Sequence, residues 1–156
     1  MVKSVDIMDA INRELVKAWP KRTVYVDVCP VDFKRPSFWI QEASIQTAPA
    51  NANMLTITAY FTVTCIDEVD KYYHTKSRRL LADQQAVMDL FRGETIQVGD
   101  RILPIRASNG GRDNDMAFVD LQLEFVDERT DQEPQYETMG EVSVNMKEVS
   151  YGVTQY

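Results

Sequence analysis

The chain has 156 residues, a net charge of −7, 44% hydrophobic and 26% charged residues, two cysteines and a single histidine. That is enough chain for one domain with its own core, and the acidic balance speaks against duplex-DNA binding, which needs a basic face. No apolar run approaches the roughly 20 residues of a membrane-spanning helix, and the opening MVKSVDIMD carries an acid where a secretion signal needs an apolar segment.

Ser4 is placed to cap a helix, and Asp6 and Asp9 suit the positive end of its dipole. Ile7, Met8, Ile11, Leu15, Ala18 and Trp19 then recur at helical spacing until Pro20 stops the run, which predicts a one-sided helix over Ser4–Trp19. Thr23–Val28 alternates, with Val24, Val26 and Val28 on one side and Tyr25 and Asp27 on the other, as in a half-buried strand. Cys29–Pro36 connects it to a second strand, Ser37–Ile45, and Pro30 and Pro36 stiffen that connection. Thr47–Asn53, TAPANAN, reads as a polar turn or loop.

Met54–Ile66 has the clearest pattern in the chain. Leu55, Ile57, Ala59, Phe61, Val63 and Cys65 share one face, while Thr56, Thr58, Tyr60, Thr62 and Thr64 share the other. A second helix is expected from about Thr75 to Phe91, with Leu80, Leu81, Gln84, Val87, Met88 and Phe91 on its stripe and Arg92-Gly93 at its end. Thr95–Val98, Gly99-Asp100 and Arg101–Ala107 read as a hairpin, whose second run is demoted to an edge strand or a bulge by Pro104. Ser108–Asp115, SNGGRDND, reads as a flexible loop before another alternating strand, Met116–Val126.

From Asp127 onward the composition changes: residues 127–156 hold seven acids and two bases, −5 of the total −7. Within this stretch Glu141–Ser150 alternates again, with Val142, Val144 and Met146 on one side. The expected organisation is therefore an α+β domain over 1–128, a mixed, mainly antiparallel sheet with two amphipathic helices packed on one face. An acidic C-terminal arm with a terminal β-strand, residues 129–156, adds to a sheet in this subunit or a neighbour's.

Residues that carry chemistry are sparse. His74 is the only histidine, which rules out a histidine dyad or a histidine-rich metal centre. The two glycines of Ser108–Asp115 lack the spacing and the following helix of a phosphate loop. Asp113-Asn-Asp115 opens like a calcium loop but misses the later glycine and distal glutamate. Cys29 and Cys65 sit far apart in apolar contexts and read as buried reduced thiols. No catalytic residue, metal or cofactor is expected. The basic residues fall into two sets, Lys21, Arg22, Lys34 and Arg35 around the first strands, and Arg101, Arg106 and Arg112 clustered near the hairpin. Either set suits contact with an acidic protein surface.

The segment Trp19-Pro20, Val24-Tyr25 and Asp32-Phe33-Lys34-Arg35-Pro36-Ser37-Phe38-Trp39-Ile40 resembles the front half of tail terminator proteins from phages and prophages of Gram-positive bacteria, themselves similar to the lambda type. The long strand Met54–Ile66 and the helix carrying Arg79-Leu80 fit the same order, so the likeness covers roughly residues 4–126. The resemblance implies a non-enzymatic virion protein assembled in the host bacterial cytoplasm. It implies a hexameric ring on the head-proximal end of the tail tube that stops tube polymerisation and offers a joining surface. The implied partners are its own copies, the tail tube protein, the head-tail connector protein and, in a contractile tail, the sheath protein, while DNA passes through the lumen without specific binding. Asp32, Phe33, Lys34, Arg35, Arg101, Arg106, Arg112, Val142, Val144 and Met146 are the candidate assembly residues. The alternatives are a head-completion or tail-tube protein of the same particle and, from another class, a small-ligand-binding α+β domain with a pocket around Trp39, Tyr60 and His74.

Overall fold

Alternation of apolar and polar residues builds a six-stranded sheet, and two helices cover its apolar face. The computed structural model describes residues 1–72, 74 and 77–129. The elements run α1 (Ser4–Ala18), β1 (Thr23–Val26), β2 (Ser37–Pro49), β3 (Met54–Ile66), α2 (Ser77–Leu90), β4 (Thr95–Val98), β5 (Arg101–Asp113) and β6 (Met116–Glu128). The strand order is β1-β2-β3-β6-β5-β4. Only β1 and β2 pair in parallel; every other neighbouring pair is antiparallel, so the α+β class and the mixed, mainly antiparallel sheet hold.

The register explains the core. Ala59 lies opposite Leu123, Phe61 opposite Leu121 and Val63 opposite Val119, so the apolar rows of β3 and β6 form one continuous surface. Both helices lie on this face of the sheet, α1 against β1, β2 and β4, and α2 against β3, β5 and β6. Because α1 touches strands from both ends of the order, the sheet curls around it. The Arg13 guanidinium reinforces this by donating to the Gln97 carbonyl of β4 at 2.5 Å. Ile7, Met8, Ile11 and Leu15 of α1 are buried, together with Ala10. Burying four large apolar side chains stabilises the packed helix by roughly 6–12 kcal/mol, an upper value set against an extended chain.

Several boundaries differ from the sequence reading, each for a physical reason. Lys3, not Ser4, is the N-cap, and its N–H donates to the Asp6 carboxylate at 3.1 Å. Ser4 is instead the first helical residue and donates its hydroxyl to Glu42 of β2. β1 ends at Val26 because Asp27 turns into the left-handed region, at φ 66°. β1 and β2 pair in parallel, so the Cys29–Pro36 connection carries the chain back along the sheet instead of closing a hairpin. β2 runs on to Pro49, which takes Thr47–Pro49 out of the expected loop.

The largest difference is at Ser108–Asp115. This stretch is strand through Asp113, because the β6 ladder continues opposite it, interrupted by a bulge between Asn109 and Arg112. The turn is only Asn114-Asp115, with Asn114 at φ 49°. Pro104 sits where β5 changes partner: β5 lies between β6 and β4 in the order but pairs with β4 over Arg101–Pro104 and with β6 from Ile105 onward, so around Pro104 it has a ladder on one side at a time among the described residues. The Gly99-Asp100 hairpin turn forms as expected, with Gly99 at φ 59°.

Candidate assembly surface

The β1–β2 connection is fastened at both ends. At its start the Asp27 N–H donates to the Ile40 carbonyl at 2.8 Å, and the Asp27 carbonyl accepts the Trp39 indole N–H at 3.0 Å. At its end the Lys34 N–H donates to the Tyr25 hydroxyl at 2.9 Å. Arg35 then ties the loop to two other elements, donating to the Asp67 carbonyl at 3.0 Å and pairing with the Asp115 carboxylate in the β5–β6 turn. Its guanidinium also stacks 4.7 Å from the centre of the Phe33 ring. The Arg35–Pro36 peptide is cis. What this frame holds outward is apolar: Val31 is fully exposed and Val28 is 74% exposed, with Asp32 beside them.

The candidate cations therefore divide by role. Arg35 and Phe33 position the loop, while Asp32 and Lys34 face solvent. Arg22 is likewise committed: it pairs with Asp83 of α2 at 3.1 Å and lies 4.7 Å over the Phe38 ring. Lys21 and Lys34 have no carboxylate partner among the described residues. They flank a groove floored by Trp19, Pro20 and Pro36, between the α1–β1 turn and the β1–β2 loop.

Arg101, Arg106 and Arg112 do not cluster. All three lie on β5, and because Ser108–Asp113 is strand instead of loop, Arg101 and Arg112 stand roughly 37 Å apart. Arg112 is at the same end of the sheet as Arg35 and Asp115; Arg106 is exposed at mid-strand, opposite Gln122. Arg101 is at the far end, where it donates to the Val126 carbonyl at 2.9 Å, stands 3.5 Å from the Asp127 carboxylate and lies over the Phe125 ring. Burial alone would push the Asp127 carboxyl up. Hydrogen bonds from the Val2 and Glu128 N–H groups, with Arg101 nearby, outweigh that and hold it below the usual carboxylate range. Val142, Val144 and Met146 lie outside the described residues.

Among the described residues, Trp39, Tyr60 and His74 are not brought together into a pocket. Trp39 is registered opposite Thr64, four residues along β3 from Tyr60, and His74 is exposed in the segment before α2, 3.9 Å from Asp70. The outer face of the sheet instead carries a shallow groove lined by Ser44, Gln46, Tyr60, Thr62, Asp120 and Gln122. Both cysteines are free thiols, but only Cys65 is buried; Cys29 sits half-exposed at the start of the β1–β2 loop. Burial, aided by the Asp83 carboxylate, pushes the Cys65 thiol up to about 12, which keeps it protonated and inert. Asp115, the last residue of the calcium-like triplet, is taken by Arg35. Among the described residues no group of three or more His, Cys, Asp or Glu is placed to hold a metal ion.

One contact had no legible functional signal. Gln84, on the apolar stripe of α2, is buried, and its amide donates to Asn109 Oδ1 at 3.0 Å, the Gly111 carbonyl at 3.1 Å and the Phe118 carbonyl at 2.8 Å. It pins the β5 bulge to the helix layer. A glutamine in an otherwise apolar helical stripe was the only hint.

A family model described as a phage tail terminator protein matches residues 6–135. No curated protein matches the chain.

Proposed function

Because the chain belongs to the phage tail terminator family, we propose that it closes a growing tail by assembling as a hexameric ring on the head-proximal end of the tail tube. A phage tail structural role follows from the family itself; the ring, the capping and the joining surface are what we add. The observation that carries the reading is the extent of the match, which takes in every described strand and helix except the first two residues of α1.

The geometry supports a part that works by contact. The sheet has two distinct ends. One presents the fastened Val31–Arg35 loop, Arg112 and the groove between Lys21 and Lys34. The other presents the β2–β3 turn, the β4–β5 turn and Arg101. Two chemically different ends suit a ring that meets the tube on one side and a head-tail connector protein, with a sheath protein where the tail is contractile, on the other. The net charge of −7 lets DNA pass a lumen without being held.

The test is tube growth. Purified tail tube protein polymerising alone gives open-ended tubes, and adding this chain is expected to stop elongation and leave a ring at one end by negative-stain microscopy. Native mass spectrometry is expected to show six copies of the 17.9 kDa chain. Unchanged tube growth, with a monomer at every concentration, would sink the proposal.

A further inference from the structure

We propose that the outer edge of β2, residues 41–49, is the socket for the Glu141–Ser150 segment of a second copy of this chain. The inference rests on reading the chain as a ring-forming tail protein and goes beyond it by naming both halves of one subunit contact.

The edge comes first. β1 pairs only with Ser37–Ile40, so from Gln41 to Pro49 β2 has a partner, β3, on one side alone among the described residues. Every residue from Glu42 to Pro49 is exposed. A row of unpaired N–H and C=O groups is a template for another strand, and proteins that keep such an edge bare protect it with lysine, interior proline or a helix laid across it. This edge, QEASIQTAP, has no lysine, one charge at Glu42 and its proline only at the last position, and its one irregularity, a bulge between Glu42 and Ser44, leaves Ser44–Pro49 regular. At the other end of the order β4 has four residues and packs on α1, and β5 beyond Pro104, which also has a partner on one side alone among the described residues, is guarded by Arg106, Arg112 and the bulge between Asn109 and Arg112. Ile45, opposite the buried Ala59 and so on the helix side of the sheet, is 41% exposed beside the edge.

The occupant follows from the chain that continues past β6. The Arg129 N–H donates to the Asn53 carbonyl at 3.0 Å, so β6 hands the chain over at the β2–β3 turn, where the bare edge ends. Twenty-seven residues follow Arg129, and within them Glu141–Ser150 matches the edge in length and carries Val142, Val144 and Met146 at period two. Placed along β2, that row would cover Ile45. The intervening residues 130–140 set the reach: fully extended, eleven residues span at most roughly 36 Å, more than the roughly 14 Å from β6 to a strand laid outside β2 in its own sheet, so a neighbour's edge is within reach as well. Reading the chain as a ring-forming protein assigns the segment to the neighbour. Each subunit then gives one strand and receives one, the head-to-tail exchange that closes a ring.

Hydrogen exchange on the full chain reads the socket directly. At assembly concentration, alternate amides in 42–48 are expected to exchange at least about tenfold slower than on dilution to monomer. Removal of residues 130–156 is expected to abolish that protection, as is Val144→Asp in the full chain, the latter a check should the truncated chain fold poorly. Protection that is absent, or unchanged by either alteration, overturns the proposal; protection independent of concentration means the segment pairs with its own chain and overturns it too. Tube capping is scored separately. Rings that cap tubes with 42–48 unprotected remove the socket and leave the terminator reading intact. Concentration-dependent protection without any effect on tubes does the reverse.

Discussion

Replacing Gln84 with methionine keeps the length and most of the volume of the side chain but removes its two amide hydrogens. Those hydrogens serve three acceptors, at 2.8, 3.0 and 3.1 Å, so the side chain supplies two full bonds shared three ways. Asn109 Oδ1 keeps the Gly111 N–H at 2.7 Å, and the exposed Gly111 can turn to water, which leaves the half-buried Phe118 carbonyl short of a donor. At about 1–3 kcal/mol for a polar group left dry, Gln84→Met is expected to cost about 1–3 kcal/mol. With a urea m-value of about 2 kcal/mol/M, the unfolding midpoint falls by about 0.5–1.5 M. Gln84→Glu is the sharper case. Near neutral pH it sets a carboxylate against three oxygens and is expected to be at least about 1 kcal/mol worse than methionine. Below about pH 4 the carboxyl takes up a proton, regains one donor, and the gap closes. Urea titrations of the three proteins at pH 7 and pH 4 check this. A methionine variant within about 0.5 kcal/mol of the parent, or a glutamate variant no worse than methionine at pH 7, would refute the idea that this amide holds the bulge.

Gly110→Ala is expected to destabilise by about 1–3 kcal/mol, because the new Cβ would stand 2.9 Å from Phe118 Cβ and 3.0 Å from both Asp120 carboxylate oxygens. Gly93→Ala, which meets nothing within 4 Å, is the matched control and should stay within about 0.5 kcal/mol in the same denaturation assay. A thiol reagent at pH 8 is expected to modify Cys29 alone in the native protein and both thiols in denaturant; fast native reaction at Cys65 would contradict its burial and raised pKa. Asp127 gives a pH signature. Its folded pKa is lowered, so its stabilising effect is complete above the unfolded value of about 3.9 and disappears as pH falls through the lower folded value. The stability lost between pH 5 and pH 2 should therefore be smaller in Asp127→Asn than in the parent, measured by urea midpoint at each pH.

Where a single residue type repeats at a fixed period, the sequence was enough. The apolar rows of Met54–Ile66 and Met116–Val126 face the helices as the alternation demands, and the α1 stripe is buried at Ile7, Met8, Ile11 and Leu15. The Gly99-Asp100 turn was equally legible, since few residues but glycine accept its backbone. What failed was tertiary override of local propensity. Ser108–Asp113 has the composition of a loop, and only the long β6 ladder beside it, with Gln84 holding the bulge, makes it strand. The same expectation of a loop also gathered Arg101, Arg106 and Arg112 into a cluster that the extended strand pulls apart. Parallel pairing of β1 and β2 was invisible because the Cys29–Pro36 segment, with its two prolines, looks the same whether it closes a hairpin or returns the chain. In the candidate surface, sequence named Arg35 but not its task, which depends on Asp115 eighty residues away.

The paired strands β3 and β6 run side by side for thirteen residues without a bulge. At the rise of an antiparallel strand that pair is a spacer roughly 40 Å long, and its length is written in residue count alone. The Arg35 end and the Arg101 end of the sheet are kept that far apart by a ladder that does not compress. The distance between them can change only in steps of whole residue pairs, about 7 Å for each two-residue lengthening that preserves the inward faces of both strands.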